Sequence, residues 1–71
     1  LGNTVVDRTG ATMGVLTDMH VDLNTGLVSE FLVQVEADID PTVLPFDHVG
    51  RIVKIPSTAV ARIAEKIHLN T

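Results

Sequence analysis

The chain alternates apolar and polar residues over short stretches, and glycine or proline interrupts each stretch before it grows long. From Thr4 the β-branched run TVVD stops at Arg8-Thr9-Gly10, where a glycine after polar residues marks a tight turn, so a first strand is expected there. The next run, MGVLTDMHVDLN, places Val15, Met19, Val21 and Leu23 on one face and Asp18, His20, Asp22 and Asn24 on the other. That is the pattern of a half-buried strand, with Thr17 the one exception on its inner face. Asn24-Thr25-Gly26 then reads as a three-residue hairpin connection with Gly26 in the left-handed region, forming a bulge. A third strand follows in LVSEFLVQVE, where Leu27, Ser29, Phe31, Val33 and Val35 alternate with Val28, Glu30, Leu32, Gln34 and Glu36. Both of its faces carry apolar groups, which predicts a central strand or one covered on its second face.

Residues 37 to 50, ADIDPTVLPFDHVG, lose all periodicity and form the longest expected connection, and a loop of that length in a small domain usually serves a purpose. Alternation returns in RIVKI, Arg51 to Ile55, with Ile52 opposed to Val53 and Ile55. Pro56 cannot extend the strand ladder, and Ser57 is placed to cap a turn or a single helical turn. The remaining segment, AVARIAEKIHL, fits a helix through Val60, Ile63 and Ile67, and fits a turn followed by a strand equally well.

A chain of 71 residues is one domain with a small core, and with no cysteine it has neither a disulfide nor a thiolate zinc site to reinforce that core, so association with another subunit is the compensation left open. The net charge of −4 argues against a nucleic-acid surface, which needs clustered Lys and Arg. No apolar run approaches a membrane span and no leader pattern is visible, so the expectation is a soluble, cytoplasmic protein without membrane insertion.

Candidate chemistry is sparse. Asp18, His20 and Asp22 project from one face of a strand and offer two carboxylates and an imidazole to a cation, yet alternate polar residues are also what any solvated strand face displays, and that is the stronger reading. His48 and His68 read as surface histidines. Asp38, Asp40 and Asp47 lack the sharp-turn glycine and the bidentate glutamate of a calcium loop. Ser29 and Ser57 have no base beside them in the pattern, so no catalytic residue, cofactor site or metal site is nominated, and the chain is not expected to be an enzyme. One segment does point to a partner. In VLPFDH, Leu44 and Phe46 flank Pro45 within an acidic loop; they either fold back to plug an end of the domain or stay exposed as an anchor with a polar rim. Val28 and Leu32, on the second face of the third strand, complete the candidate partner interface.

The order and spacing of these signals resemble the PRC-barrel family, a small β-barrel also found in the ribosome-maturation factor RimM. The resemblance runs over nearly the whole chain through Gly2 and Val5-Val6-Asp7, Gly10 and Gly14 four apart, Asp18 to Asp22 closed by Thr25-Gly26, Ile55-Pro56, and Val60 leading into IAEKIHL. The family's Ile-Gly-Asp near the end is Ile63-Ala64-Glu65 in this chain, a departure that leaves the last turn open. The resemblance implies an all-β fold of five to six short antiparallel strands in a closed or nearly closed barrel, a brief helical turn near residues 57 to 62, placed on Val60 to Ile63 by the resemblance, and a final strand from Lys66 to Leu69. For function it implies a non-enzymatic protein-interaction module, a homodimer or a heterodimer with a related barrel. Standalone members suggest an archaeal cell-division scaffold recruited to the division site with SepF as protein partner; the alternative is a ribosome-maturation role on a ribosomal protein.

Overall fold

The computed structural model describes all 71 residues and contains only strands, turns and two single 3₁₀ turns. The strands are β1 (Thr4–Val6), β2 (Thr12–Val21), β3 (Val28–Val35), β4 (Asp47–Val49), β5 (Ile52–Pro56), β6 (Val60–Ile63) and β7 (Ile67–Leu69). They form one curled sheet in the order β4-β5-β3-β2-β1-β7-β6. The all-β expectation holds, with β4 and β6 as strands that the sequence pattern did not separate. The sheet does not close: β4 and β6 are its two edges. Neighbouring strands are antiparallel except β1 and β7, which run parallel.

Strand β3 forms as its alternation predicts. Phe31, Val33 and Val35 are buried, and they meet Val53 and Ile55 of β5 within the core. Strand β2 corrects the sequence reading, because two bulges change its phase. Met13 is the extra residue against β1, where Val5 pairs with Gly14 and Val6 with Thr12. Thr17 is the extra residue against β3, where Leu16 pairs with Val33 and Asp18 with Leu32. Each bulge inserts one residue, so the inward set becomes Met13, Gly14, Leu16 and Met19, while Val15 turns out to solvent. Val21 keeps the inner side opposite Val28 but stays exposed, and Leu23 lies in the turn at 95% exposure. A third irregularity passes over Ser29 in β3, since His20 pairs with Glu30 and Val21 with Val28.

Gly14 allows β2 to press onto β3. A Cβ built there would lie 2.1 Å from the Gln34 carbonyl oxygen, inside contact distance of backbone that cannot rotate away. At the hairpin, Gly26 has φ +74°, the left-handed conformation that its place in the pattern requires. The connection is one residue longer than Asn-Thr-Gly. The Asp22 amide donates to the Leu27 carbonyl and the Gly26 amide to the Asp22 carbonyl, so Leu23 to Gly26 make the turn.

Residues 37 to 50 are more ordered than their sequence suggests. Asp40 caps a 3₁₀ turn, Pro41–Val43, by accepting from the amide and hydroxyl of Thr42. The Arg51 guanidinium donates to the carbonyls of Glu36 and Ile39, at 2.7 Å for the latter, and so ties the start of the loop to the start of β5. The second 3₁₀ turn is Ser57–Ala59, where no side chain caps the end. It is the brief helical turn expected in this region, but Val60 to Ile63 form strand β6 instead, paired with β7, because Ile63 and Ile67 oppose each other across a tight reversal.

Candidate functional site

The core leaves two surfaces that could carry function: the outer face of the sheet, and a cleft under the long loop. On the outer face, cross-strand register sets the rows. Val49, Ile52, Gln34 and Val15 lie abreast over β4, β5, β3 and β2, and the next row is Asp47, Lys54, Leu32 and Asp18. Val49 is 66% exposed and Val15 41%, while Ile52 and Leu32 are half-buried. A depression of about 370 Å³ lies beside Val15, Thr17 and Gln34. Apolar groups on a strand face turned away from the core require a cover or remain in water, at roughly 25 cal/mol for each Å² left uncovered.

The candidate interface residues divide between these surfaces. Leu32 belongs to the outer face and lies outside the core cluster. Val28, expected beside it, packs against the core, because the irregularity at Ser29 moves it to the inner side. Leu44 and Phe46 meet neither extreme of the sequence expectation. Both are half-buried against the core, and both also line a cleft of about 440 Å³.

That cleft opens between the β1–β2 turn and the long loop. Its apolar lining is Ala11, Met13, Ile39, Leu44, Pro45 and Phe46; Thr12 and Thr71 also line it, and its rim carries Asp7 and Asp38. The Asp7 carboxylate accepts through Oδ1 from the Thr9 amide, the Thr9 hydroxyl and the Ala11 amide, at 2.9, 2.6 and 3.0 Å. The Thr9 hydroxyl is the main reason that the Asp7 carboxyl titrates below its ordinary value; partial desolvation opposes it, and the amides of Thr9, Ala11 and Gly10 assist. Asp40, deeper in the loop, is lowered in the same direction by the Thr42 hydroxyl and amide. No Lys or Arg lines the cleft. Sequence reasoning found Leu44 and Phe46 but missed Met13, Ile39 and Asp7, since a cleft built from residues thirty apart has no local signature.

The polar triplet on β2 does not converge. Asp18 accepts from the neighbouring Met19 amide, His20 lies 2.7 Å from Glu30, and Asp22 is in the hairpin turn, where it accepts from Asn24. No group of three or more His, Asp or Glu side chains is placed to hold a metal ion. His48 is exposed on β4, and His68 is half-buried on β7. No helix is long and apolar enough to cross a membrane.

Compared with known proteins, residues 1–67 match the family model described as PRC-barrel domain. No curated protein matches the chain.

Proposed function

Because the chain belongs to the PRC-barrel family, we propose that it is a non-enzymatic protein-interaction module that pairs with a second barrel, either another copy or a related chain, across the outer face of its sheet. The observation that carries this reading is the outer face itself: Val49, Ile52, Val15 and Leu32 stand in adjacent rows, turned away from the core, on the four strands that run inward from the open β4 edge to β2. A small core strengthens it. Only 13 of the 71 residues are buried, so covering the outer face would add apolar burial that the isolated chain cannot supply. The free backbone edges of β4 and β6 offer further pairing positions of the kind that natural sheets cover or blunt.

The resemblance to standalone archaeal barrels extends the proposal to a cell-division scaffold with SepF as the first partner to test. The test of pairing is sedimentation and thermal melting of the parent and Leu32→Glu over about a hundredfold range of concentration, since mass action raises the melting temperature of an associating chain. The parent is expected to associate and Leu32→Glu to stay monomeric and folded. A parent that remains monomeric throughout, with a concentration-independent melt, defeats pairing between copies; purified SepF added to that monomer then tests the heterologous arm, and no shift in sedimentation defeats that too.

A further inference from the structure

The cleft under the long loop carries acidic residues and no basic one, whereas Lys54 stands among the rows of the pairing face. Its floor is apolar, formed by Met13, Ile39, Leu44 and Phe46, and its rim holds the carboxylates of Asp7 and Asp38. Neither carboxylate has a cation of its own, because the chain's one ion pair joins His20 to Glu30 on β2 and β3. Asp7 spends Oδ1 on the β1–β2 turn and leaves Oδ2 open. At about 440 Å³ the cleft falls within the roughly 300–1,000 Å³ of ligand pockets, and both of its walls are fixed. Asp7 hydrogen bonds hold the turn, and Arg51 together with the Asp40-capped turn holds the loop.

We propose that this cleft binds a segment of a partner protein that presents a Lys or Arg beside an apolar side chain. The apolar residue enters over Met13, Leu44 and Phe46, and the cationic head reaches the Asp7–Asp38 rim. A long basic side chain suits such a site because its methylene stem lies on apolar surface while its charged end stays at the carboxylates. An acidic or purely apolar segment would leave the two rim charges opposed or unpaired as water is excluded, which selects against it. The proposal concerns a different surface from the pairing face, so the failure of either leaves the other standing.

The test is titration of the ¹⁵N-labelled chain with short peptides that differ only at the centre, Leu-Arg-Leu against Leu-Glu-Leu, with free arginine as a third probe, up to an excess that saturates millimolar binding. The arginine peptide is expected to shift the amides of Thr12, Met13, Ile39 and Leu44, and added salt should weaken it. Asp38→Lys is the decisive variant. Asp38 is exposed and outside the core, so its charge reverses without loss of fold; arginine-peptide affinity should fall about fivefold or more while the glutamate peptide gains. The proposal is overturned by no shift at these amides, by equal shifts from both peptides, by an affinity indifferent to Asp38→Lys, or by free arginine binding as tightly as the peptide. Asp7→Asn, which keeps the side chain's shape, serves as a second variant with the same expected direction.

Discussion

Phe31 and Leu32 are neighbours in β3 and both are large and apolar, yet they belong to different environments. Phe31 is 5% exposed among Val33, Val53 and Ile55, while Leu32 lies on the other side of the sheet between Lys54 and Asp18. The inner face is a closed jigsaw that determines whether the chain folds. The outer face contributes less to the isolated fold, since its apolar side chains are half-buried or exposed. Strand geometry enforces this division, since successive side chains point to opposite sides, and it makes the two faces separable by substitution.

Substitution at these two neighbours should separate the faces most widely. Phe31→Ala should cost about 3–5 kcal/mol, the transfer loss plus a cavity that the surrounding strands cannot collapse to fill. Leu32→Ala should cost no more than about 1 kcal/mol in the monomer, because it removes a half-exposed side chain and opens no cavity. Urea unfolding of both variants at a concentration too low for association reads the difference. Equal costs would mean that the outer face is part of the core.

At Gly14 the inner face depends on backbone contact rather than on a side chain. It is buried with Val5 and Val35 as its cross-strand partners, and a single methyl group would meet the Gln34 carbonyl at 2.1 Å. Gly14→Ala must therefore push β2 away from β3, with an expected loss on the order of 3 kcal/mol. Gly10→Ala makes the contrast. No atom lies within 4 Å of a Cβ there, so only the strain of its left-handed backbone applies, roughly 1 kcal/mol. An unfolding midpoint unchanged by Gly14→Ala would show that the strands are not pressed together at this point.

How far the two faces could be read from sequence depends on the strand. In β3 the alternation of Phe31, Val33 and Val35 survives intact, and the inner face was legible. In β2 it was not, because the bulges at Met13 and Thr17 each change the phase. The trace they left was slight: a polar Thr17 on an otherwise apolar face, and a Leu16 out of step with it. Both are explained once Thr17 is the extra residue and Leu16 turns inward. Strand β4, Asp47-His48-Val49, is three residues long, polar and at an edge, so it carries no periodicity to detect. For the candidate site, composition pointed to Leu44 and Phe46 within their acidic loop. Their cleft partners come from the β1–β2 turn, and only the fold brings those together.

The hairpin tip tests a smaller effect, away from both faces. Gly26 has φ +74° with open space around its Cβ position, so Gly26→Val meets no clash and is penalised only by conformation. The expected cost is about 1–3 kcal/mol, read from the urea midpoint. Because Leu23 and Leu27 beside it are exposed, repacking cannot add to the loss. A cost well above this range would mean that the tip is buried against something in solution, and its dependence on protein concentration would show whether that is a second copy.

The smallest effect belongs to two polar turns, the one after β1 and the 3₁₀ turn of the long loop. Asp7 and Asp40 each accept hydrogen bonds from a threonine two residues on, and in both the threonine hydroxyl is the main cause of a carboxyl titrating below its ordinary value. A carboxyl whose pKa is lower folded than unfolded favours the folded state when ionised. Its contribution is complete above the unfolded value near 3.8 and disappears as pH falls through the lower folded value. The midpoint of unfolding should therefore fall with acid once the pH drops through the unfolded value near 3.8 toward the lower folded one, and remain flat with respect to these groups at neutral pH. Thr9→Ala removes the strongest hydrogen bond to Asp7 and should bring its titration back toward the ordinary value, so the acid-induced fall becomes shallower. Thr42→Ala should act alike on Asp40. The two effects should add, since the turns share no hydrogen bond, and neither should alter the contrast between Phe31→Ala and Leu32→Ala at neutral pH. Following each carboxyl by NMR through the titration assigns the change to its residue. If Asp7 titrates at the same pH in the parent and in Thr9→Ala, the hydroxyl does not hold its proton affinity down, and the turn that forms one wall of the cleft is held by the backbone amides alone.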